Sequence, residues 1–159
     1  MVVFSFLGAL LNVLKFALSW LPNIELVSVL IIVYTCIFGW YALIPVYIFA
    51  GLEILLYGLN TWTINYLYVW SILVIVAIIF KSNKSPVFWA VVAGIYGVMF
   101  GALCSFTDIY LFGFEVALSK WISGLPFDFV HCAGNFATTL FLYKPIYNLI
   151  KQQKDKLSL

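Results

Sequence analysis

The chain has 159 residues, 65% of them hydrophobic and 9% charged, with a formal net charge of +2; its mean hydropathy is +1.12. Soluble domains carry about 25% charged residues, so this composition excludes a soluble globular protein and points to an integral membrane protein in contact with the lipid bilayer. Neither a cofactor nor a nucleic-acid partner is expected.

Apolar helices of about 17–25 residues suffice to cross a hydrocarbon core. The chain divides into six such segments, at about 2–21, 24–38, 41–58, 64–80, 87–105 and 127–150, joined by short links. Strands would alternate apolar and polar positions, whereas runs such as 67–80 are apolar on every face. The expectation is one all-α membrane domain over 1–159 with six transmembrane helices.

Segment one lacks the basic start and small-residue cleavage site of a signal peptide and reads as a membrane helix. Ser5 and Ala9, four apart, offer small residues to a neighbouring helix. Asn12, Lys15 and Ser19 follow along one face. An ammonium inside a span needs a carboxylate, a cavity or a route to the headgroups, which makes Lys15 a candidate site residue. Pro22 and Asn23 end the helix. Segment two is almost wholly apolar after Glu25 and stops at Gly39. Segment three contains Pro45, then Glu53 with Tyr57 one turn later. Glu53 is too deep for a solvated acid. It reads either as a cavity or ligand group or as the structural partner of Lys15.

The link 58–66 mixes turn formers with polar and aromatic residues, among them Asn60 and Trp62. Trp62, Tyr66 and Trp70 recur at i, i+4 and i+8, a spacing that reads first as an interfacial belt and second as a ligand platform. The turn 81–86 holds Lys81 and Lys84 and no acid. Segment five carries Gly94, Gly97 and Gly101, and the four-residue pair 97/101 favours close helix contact. Residues 108–123 combine Asp108, Glu115 and Lys120 with Tyr110, Phe112, Phe114 and Trp121. That stretch is too polar to span and predicts a short interfacial helix between helices five and six, able to act as a lid.

Segment six brings the densest chemistry. Asp128, His131 and Asn135 stand at i, i+3 and i+7, one face of a helix. An ionisable group at mid-depth costs roughly 2.5–3.5 kcal/mol, so the three are expected to line a cavity. Cys36, Cys104 and Cys132 show no CxxC spacing and read as packing residues. Lysines mark the cytoplasmic side. Lys81 and Lys84 and the final cluster Lys144, Lys151, Lys154 and Lys156 therefore put both termini of a multi-pass cell-membrane protein inside. The acids Glu25, Glu53, Asp108, Glu115 and Asp128 then fall in or near the outer half, together with Asn60, Trp62 and Trp121.

The runs Asn-Val-Leu-Lys-Phe, Leu-Pro-Asn-Ile-Glu-Leu-Val, Ile-Asn-Tyr-Leu-Tyr-Val-Trp, Gly-Ala-Leu-Cys-Ser and Phe-Asp-Phe-Val-His-Cys-Ala-Gly-Asn-Phe resemble, in this order, an S component of an energy-coupling factor (ECF) vitamin transporter. The resemblance implies a six-helix bundle that captures a micronutrient outside and works with a transmembrane T component and two ABC-type ATPases. It also implies that Ser5 and Ala9, at the place of the family's Ala-x-x-x-Ala pattern, contact the T component. Where the family's nickel and cobalt binders have histidine, this chain has Val2, and it has one histidine in all, so metal is not the expected cargo.

Substrate contacts are expected from Lys15, Glu53, Tyr57, Asn60, Trp62, Trp70, Trp121, Asp128, His131 and Asn135. Acids and aromatics together suit a neutral or cationic heteroaromatic compound. No GxxxxGK[ST] loop is present, so ATP hydrolysis belongs to partners and the chain itself is not expected to be an enzyme. The alternatives are a stand-alone carrier relaying protons through Glu53, Asp128 and His131, and a membrane enzyme using Asp128 and His131 as an acid–base pair.

Overall fold

Without water, a chain this apolar satisfies its backbone most simply within helices. The computed structural model describes residues 1–156. Its elements are α1 (Val2–Ala17), α2 (Val27–Phe38), a 3-10 turn (Gly39–Ala42), α3 (Leu43–Tyr57), α4 (Thr61–Tyr66), α5 (Val69–Ile79), α6 (Pro86–Phe112) and α7 (Phe114–Lys156), with no strand among the described residues.

Helix ends follow local chemistry. Asn60 Oδ1 accepts from the backbone N–H of Trp62 and Thr63 at 3.1 and 3.2 Å, while Thr63 Oγ1 accepts from the Asn60 N–H at 3.0 Å. This reciprocal capping box starts α4. Ser85 caps α6, whose first position is Pro86.

α2 is the central helix, buried from Val27 to Thr35. Phe4 of α1 lies 5.3 Å from Phe38 and 6.2 Å from Tyr41 between ring centroids, and at the far end Lys15 pairs with Glu53. Thus α1 and α3 run parallel, and α2 is antiparallel to both. They touch at Gly8, where a Cβ would lie 2.7 Å from Ile48 Cγ2. Beside α2 runs α7 in the same direction: Asn135 Nδ2 donates to Ser28 Oγ at 3.1 Å, and Lys154 Nζ to the Ile37 carbonyl at 3.0 Å.

α6 and α7 form a long antiparallel hairpin. A Cβ on Gly97 would meet the Cys132 nitrogen at 2.8 Å, and one on Gly101 would overlap the Asp128 carboxylate. Trp89, near the start of α6, stacks on Tyr143 at 6.0 Å. The Lys81–Lys84 turn, the start of α1 and the Lys154 region of α7 therefore share one end of the bundle, as the charge pattern requires.

Three helical stretches are long and apolar enough to cross a membrane: Val27–Tyr57, Thr61–Ile79 and Pro86–Phe112. The first contains the turn at Gly39, after which α3 runs back in the opposite direction, packed beside α1. Segment one ends early, as the 16-residue α1, because the chain turns before Pro22. Segment four is broken into α4 and α5 at Leu67 and Tyr68. Segment six lies within α7, whose polar and charged positions keep it out of the apolar set.

One expectation is overturned. No short interfacial helix separates segments five and six. α6 continues to Phe112, Gly113 alone breaks the helix with φ 86°, and α7 begins at Phe114. The polar residues that suggested a surface helix pair across the hairpin instead: Lys120 bonds Asp108, and its ammonium lies 5.0 Å from the Phe112 ring centroid.

Candidate functional site

The irregular connection after α1 cannot complete a helix through Pro22 and Asn23, the latter at φ 59°, and it leaves a gap over the aromatic side chains of α4, α5 and α6. The gap is a cavity of about 290 Å³ lined by Lys15, the 18–25 connection, Val27, Tyr66, Trp70, Phe100 and His131. Its walls are mainly apolar, with the rings of Tyr66, Trp70 and Phe100 among them, and a lysine–carboxylate salt bridge and a carboxylate–imidazole contact stand at its edges.

The first pair joins α1 to α3. Glu53, 1% exposed, receives hydrogen bonds from the Lys15 ammonium and, at 2.9 Å, from Asn12 Nδ2. The ammonium also lies 4.5, 5.1 and 5.4 Å from the ring centroids of Trp62, Tyr66 and Tyr57. Each such contact contributes about 0.5–2 kcal/mol according to its desolvation. The carboxylate and three rings together hold a cation that lipid would otherwise exclude. Of the two readings of Glu53, the structure shows the pairing with Lys15.

The second pair joins the start of α2 to α7. Glu25 accepts from the Ser28 N–H with both oxygens, at 3.0 and 3.2 Å, and so caps α2. His131 Nε2 stands 3.5 Å from Glu25 Oε1. The imidazole packs edge-on against Phe100 at 4.9 Å. A ligand entering here meets a carboxylate with unused lone pairs, an imidazole nitrogen and aromatic rings. That set favours a planar molecule with N–H donors on its edge.

The three residues of segment six do not act together. His131 lines the cavity. Asp128 accepts from the backbone N–H of Gly101 at 3.1 Å and is not hydrogen-bonded to His131, so it belongs to the α6–α7 contact. Asn135 is fully buried against Ser28. The i, i+3, i+7 spacing identified a buried face correctly, but three different elements pack on it.

The remaining candidates divide similarly. Trp70 lines the cavity within a cluster of rings: Tyr66 at 5.4 Å, Phe100 at 5.5 Å and Tyr96 at 5.9 Å. Its Nε1 is buried and unpartnered. Trp62 and Tyr57 reach the site only through Lys15. Asn60 is occupied as a cap. Trp121 lies apart, in a separate groove with Ala102, Ser105 and Ala117. On α1, Ser5 is exposed and Ala9 half-buried, which leaves this face largely open.

Tyr66, Phe100 and Glu25 were not among the expected contacts, yet they line the cavity. Tyr66 was visible as the middle of the aromatic stripe, and Glu25 as the acid three residues before Ser28. Phe100 carried no signal among its apolar neighbours. Among the described residues no group of three or more His, Cys, Asp and Glu could hold a metal ion.

No protein-family model, curated protein or solved structure matches this chain.

Proposed function

We propose that this protein is a substrate-capture subunit of the S-component kind, holding a small heteroaromatic micronutrient in the cavity beneath the 18–25 connection. The observation that carries this reading is the cavity itself: about 290 Å³ between the 18–25 connection and the rings of Tyr66, Trp70 and Phe100, with Glu25 and His131 presenting polar atoms to it. Ligand sites combine apolar walls with a few convergent polar groups and typically measure about 300–1,000 Å³. This volume lies at the small end and suits a one- or two-ring compound. The Lys15 charge is already answered by Glu53, whereas the Glu25 carboxylate at the cavity has only the Ser28 N–H and the His131 ring beside it, which favours a neutral or cationic ligand over a polyanion.

In this reading six segments cross the cell membrane with both termini in the cytoplasm, in keeping with the basic residues gathered at one end of the bundle. The open Ser5 and Ala9 face of α1 would meet a T component, and two ABC-type ATPases would supply the energy. Small molecules released by denaturing the purified protein, identified by mass spectrometry beside a Glu25→Gln/His131→Ala control, test it. A heteroaromatic compound present in the wild type and lost in the control is expected. A dicarboxylate as the tightest ligand would sink the substrate assignment.

A second reading draws on the same carboxylate–imidazole pair: a stand-alone carrier in which Glu25 and His131 exchange a proton. Uptake by vesicles containing this chain alone, following the proton gradient without ATPase subunits, would establish it in place of the first.

A further inference from the structure

A second hollow, an apolar groove of about 700 Å³, reaches the basic end of the bundle where α1 and α7 flank α2. α1 supplies one wall with Phe6, Leu10 and Leu14, and α7 the other with Ile146, Leu149 and Ile150. Positions 146, 149, 150 and 153 recur at i, i+3, i+4 and i+7, so they share one face of α7. Leu30 and Phe38 of α2 form the floor. Ser5 and Ala9 stand outside the groove, which is therefore separate from the face offered to a T component.

Along α1 the groove runs from Val2 to Leu14, about 18 Å at 1.5 Å per residue. That is close to the depth of one leaflet, half of a hydrocarbon core about 30 Å thick. Its polar side chains, Gln153 and Lys154, stand together at the basic end. The Lys154 ammonium is held there: it donates to the Ile37 carbonyl at 3.0 Å and lies 5.4 Å from the Phe38 ring centroid. Among the described residues no carboxylate answers it, since the ion pairs are Lys15–Glu53, Lys120–Asp108 and His131–Glu25. Asp155 is exposed and turned about 100° further around α7. An ammonium carries three donors, and Ile37 takes one. A positive charge with donors to spare is thus fixed at one end of an apolar slot of leaflet length.

We propose that this groove binds one anionic glycerophospholipid of the leaflet at the basic end, with an acyl chain along α1 and the phosphate on the Lys154 ammonium. A partner helix would suit the apolar walls but leave the cation unanswered, whereas a chain of this length with an anionic head answers both. A zwitterionic lipid brings an ammonium of its own and answers the charge less well. Bound there, the lipid bridges α1 and α7 beside α2. The site does not depend on the capture reading above.

The test is native mass spectrometry of the full chain, stripped of lipid in detergent and then given equal amounts of phosphatidylglycerol and phosphatidylcholine with the same acyl chains. The wild type should retain phosphatidylglycerol at least about fivefold over phosphatidylcholine. Lys154→Gln should bring that ratio near one. Lys151→Gln, at an exposed position of the same end that does not line the groove, should leave it unchanged. Equal retention of the two lipids by the wild type overturns the proposal, and so do equal effects of the two substitutions, which would make the preference one of diffuse charge. Because Lys154 also holds the end of α2, a second measurement uses the wild type alone. Phosphatidylglycerol with a photoreactive diazirine at the end of its chain, irradiated with the protein in phosphatidylcholine nanodiscs, should attach mainly at Leu10, Leu14 and Leu30, deep in the groove. Attachment spread evenly over exposed apolar positions such as Ile75 and Ile95 would mean ordinary boundary lipid and overturn the site. A dimer free of lipid adducts would overturn it too and give the groove to a second copy of the chain.

Discussion

Lys15 and Glu53 show how one buried charge is made tolerable in an apolar chain. The Glu53 side chain is 2% exposed and that of Lys15 26%, so the acid is more dependent on its partner than the base is. Lys15→Met leaves the carboxylate with Asn12 alone. Breaking a buried pair costs about 3–5 kcal/mol, and the partial exposure of Lys15 reduces that to about 2–3 kcal/mol here. Adding Glu53→Leu should recover most of the loss, since the unpaired charge is then gone. Thermal unfolding of the two single variants and the double variant in detergent measures the coupling; additive losses would show that the two side chains act independently. Glu25 has the opposite character, because its oxygens cap α2 and still face the cavity. Glu25→Gln keeps an acceptor for the Ser28 N–H and removes the charge. It should weaken binding of a cationic ligand about tenfold or more with little change in stability, as isothermal titration with the released compound would read.

At the scale of elements, the α6–α7 hairpin reverses an ordinary expectation about glycine. In an exposed helix Gly→Ala stabilises by about 1 kcal/mol. Here a Cβ on Gly97 would meet the backbone of α7, so Gly97→Ala should destabilise by about 1–3 kcal/mol, whereas one on Gly101 would meet only the Asp128 carboxylate, which can swing aside at the loss of its hydrogen bond to the Gly101 N–H. Gly124, with nothing within 4 Å of its would-be Cβ, should tolerate alanine with no loss. A stabilising Gly97→Ala would mean that the two helices are not in this close contact. The four-residue glycine spacing made this contact legible in the sequence, as the Asn60 turn chemistry did the start of α4. The polarity of 108–123 misled because acid and base were read as solvated, whereas Asp108 and Lys120 answer each other across the hairpin. Periodicity placed Asp128, His131 and Asn135 on a buried face but could not assign their partners. Those lie 27, 106 and 107 residues away in the chain, at Gly101, Glu25 and Ser28.

The whole molecule is polarised along its long axis. α7 has 43 residues and is about 65 Å long at 1.5 Å per residue, more than the roughly 40–45 Å of a bilayer with its headgroups. In the proposed topology α7 crosses the membrane, and a helix of this length then emerges on both sides. The lower end carries Lys151, Lys154 and Lys156, with the Lys81–Lys84 turn nearby, and the upper end carries Glu115 and Lys120. The proposed topology puts the lower end, with its excess of lysine, in the cytoplasm. Cysteines at Ser119 and Gln152, both exposed, should react with an impermeant thiol reagent from opposite faces of intact cells and inverted vesicles, Ser119→Cys from outside and Gln152→Cys from inside. A third at Ser82 should follow Gln152. Labelling of 82 and 152 from opposite faces would break the bundle geometry, because the Trp89–Tyr143 stack holds those two regions at one end. Labelling of both from outside would keep the geometry and invert the protein, placing the cavity mouth toward the cytoplasm and turning capture for uptake into capture for export.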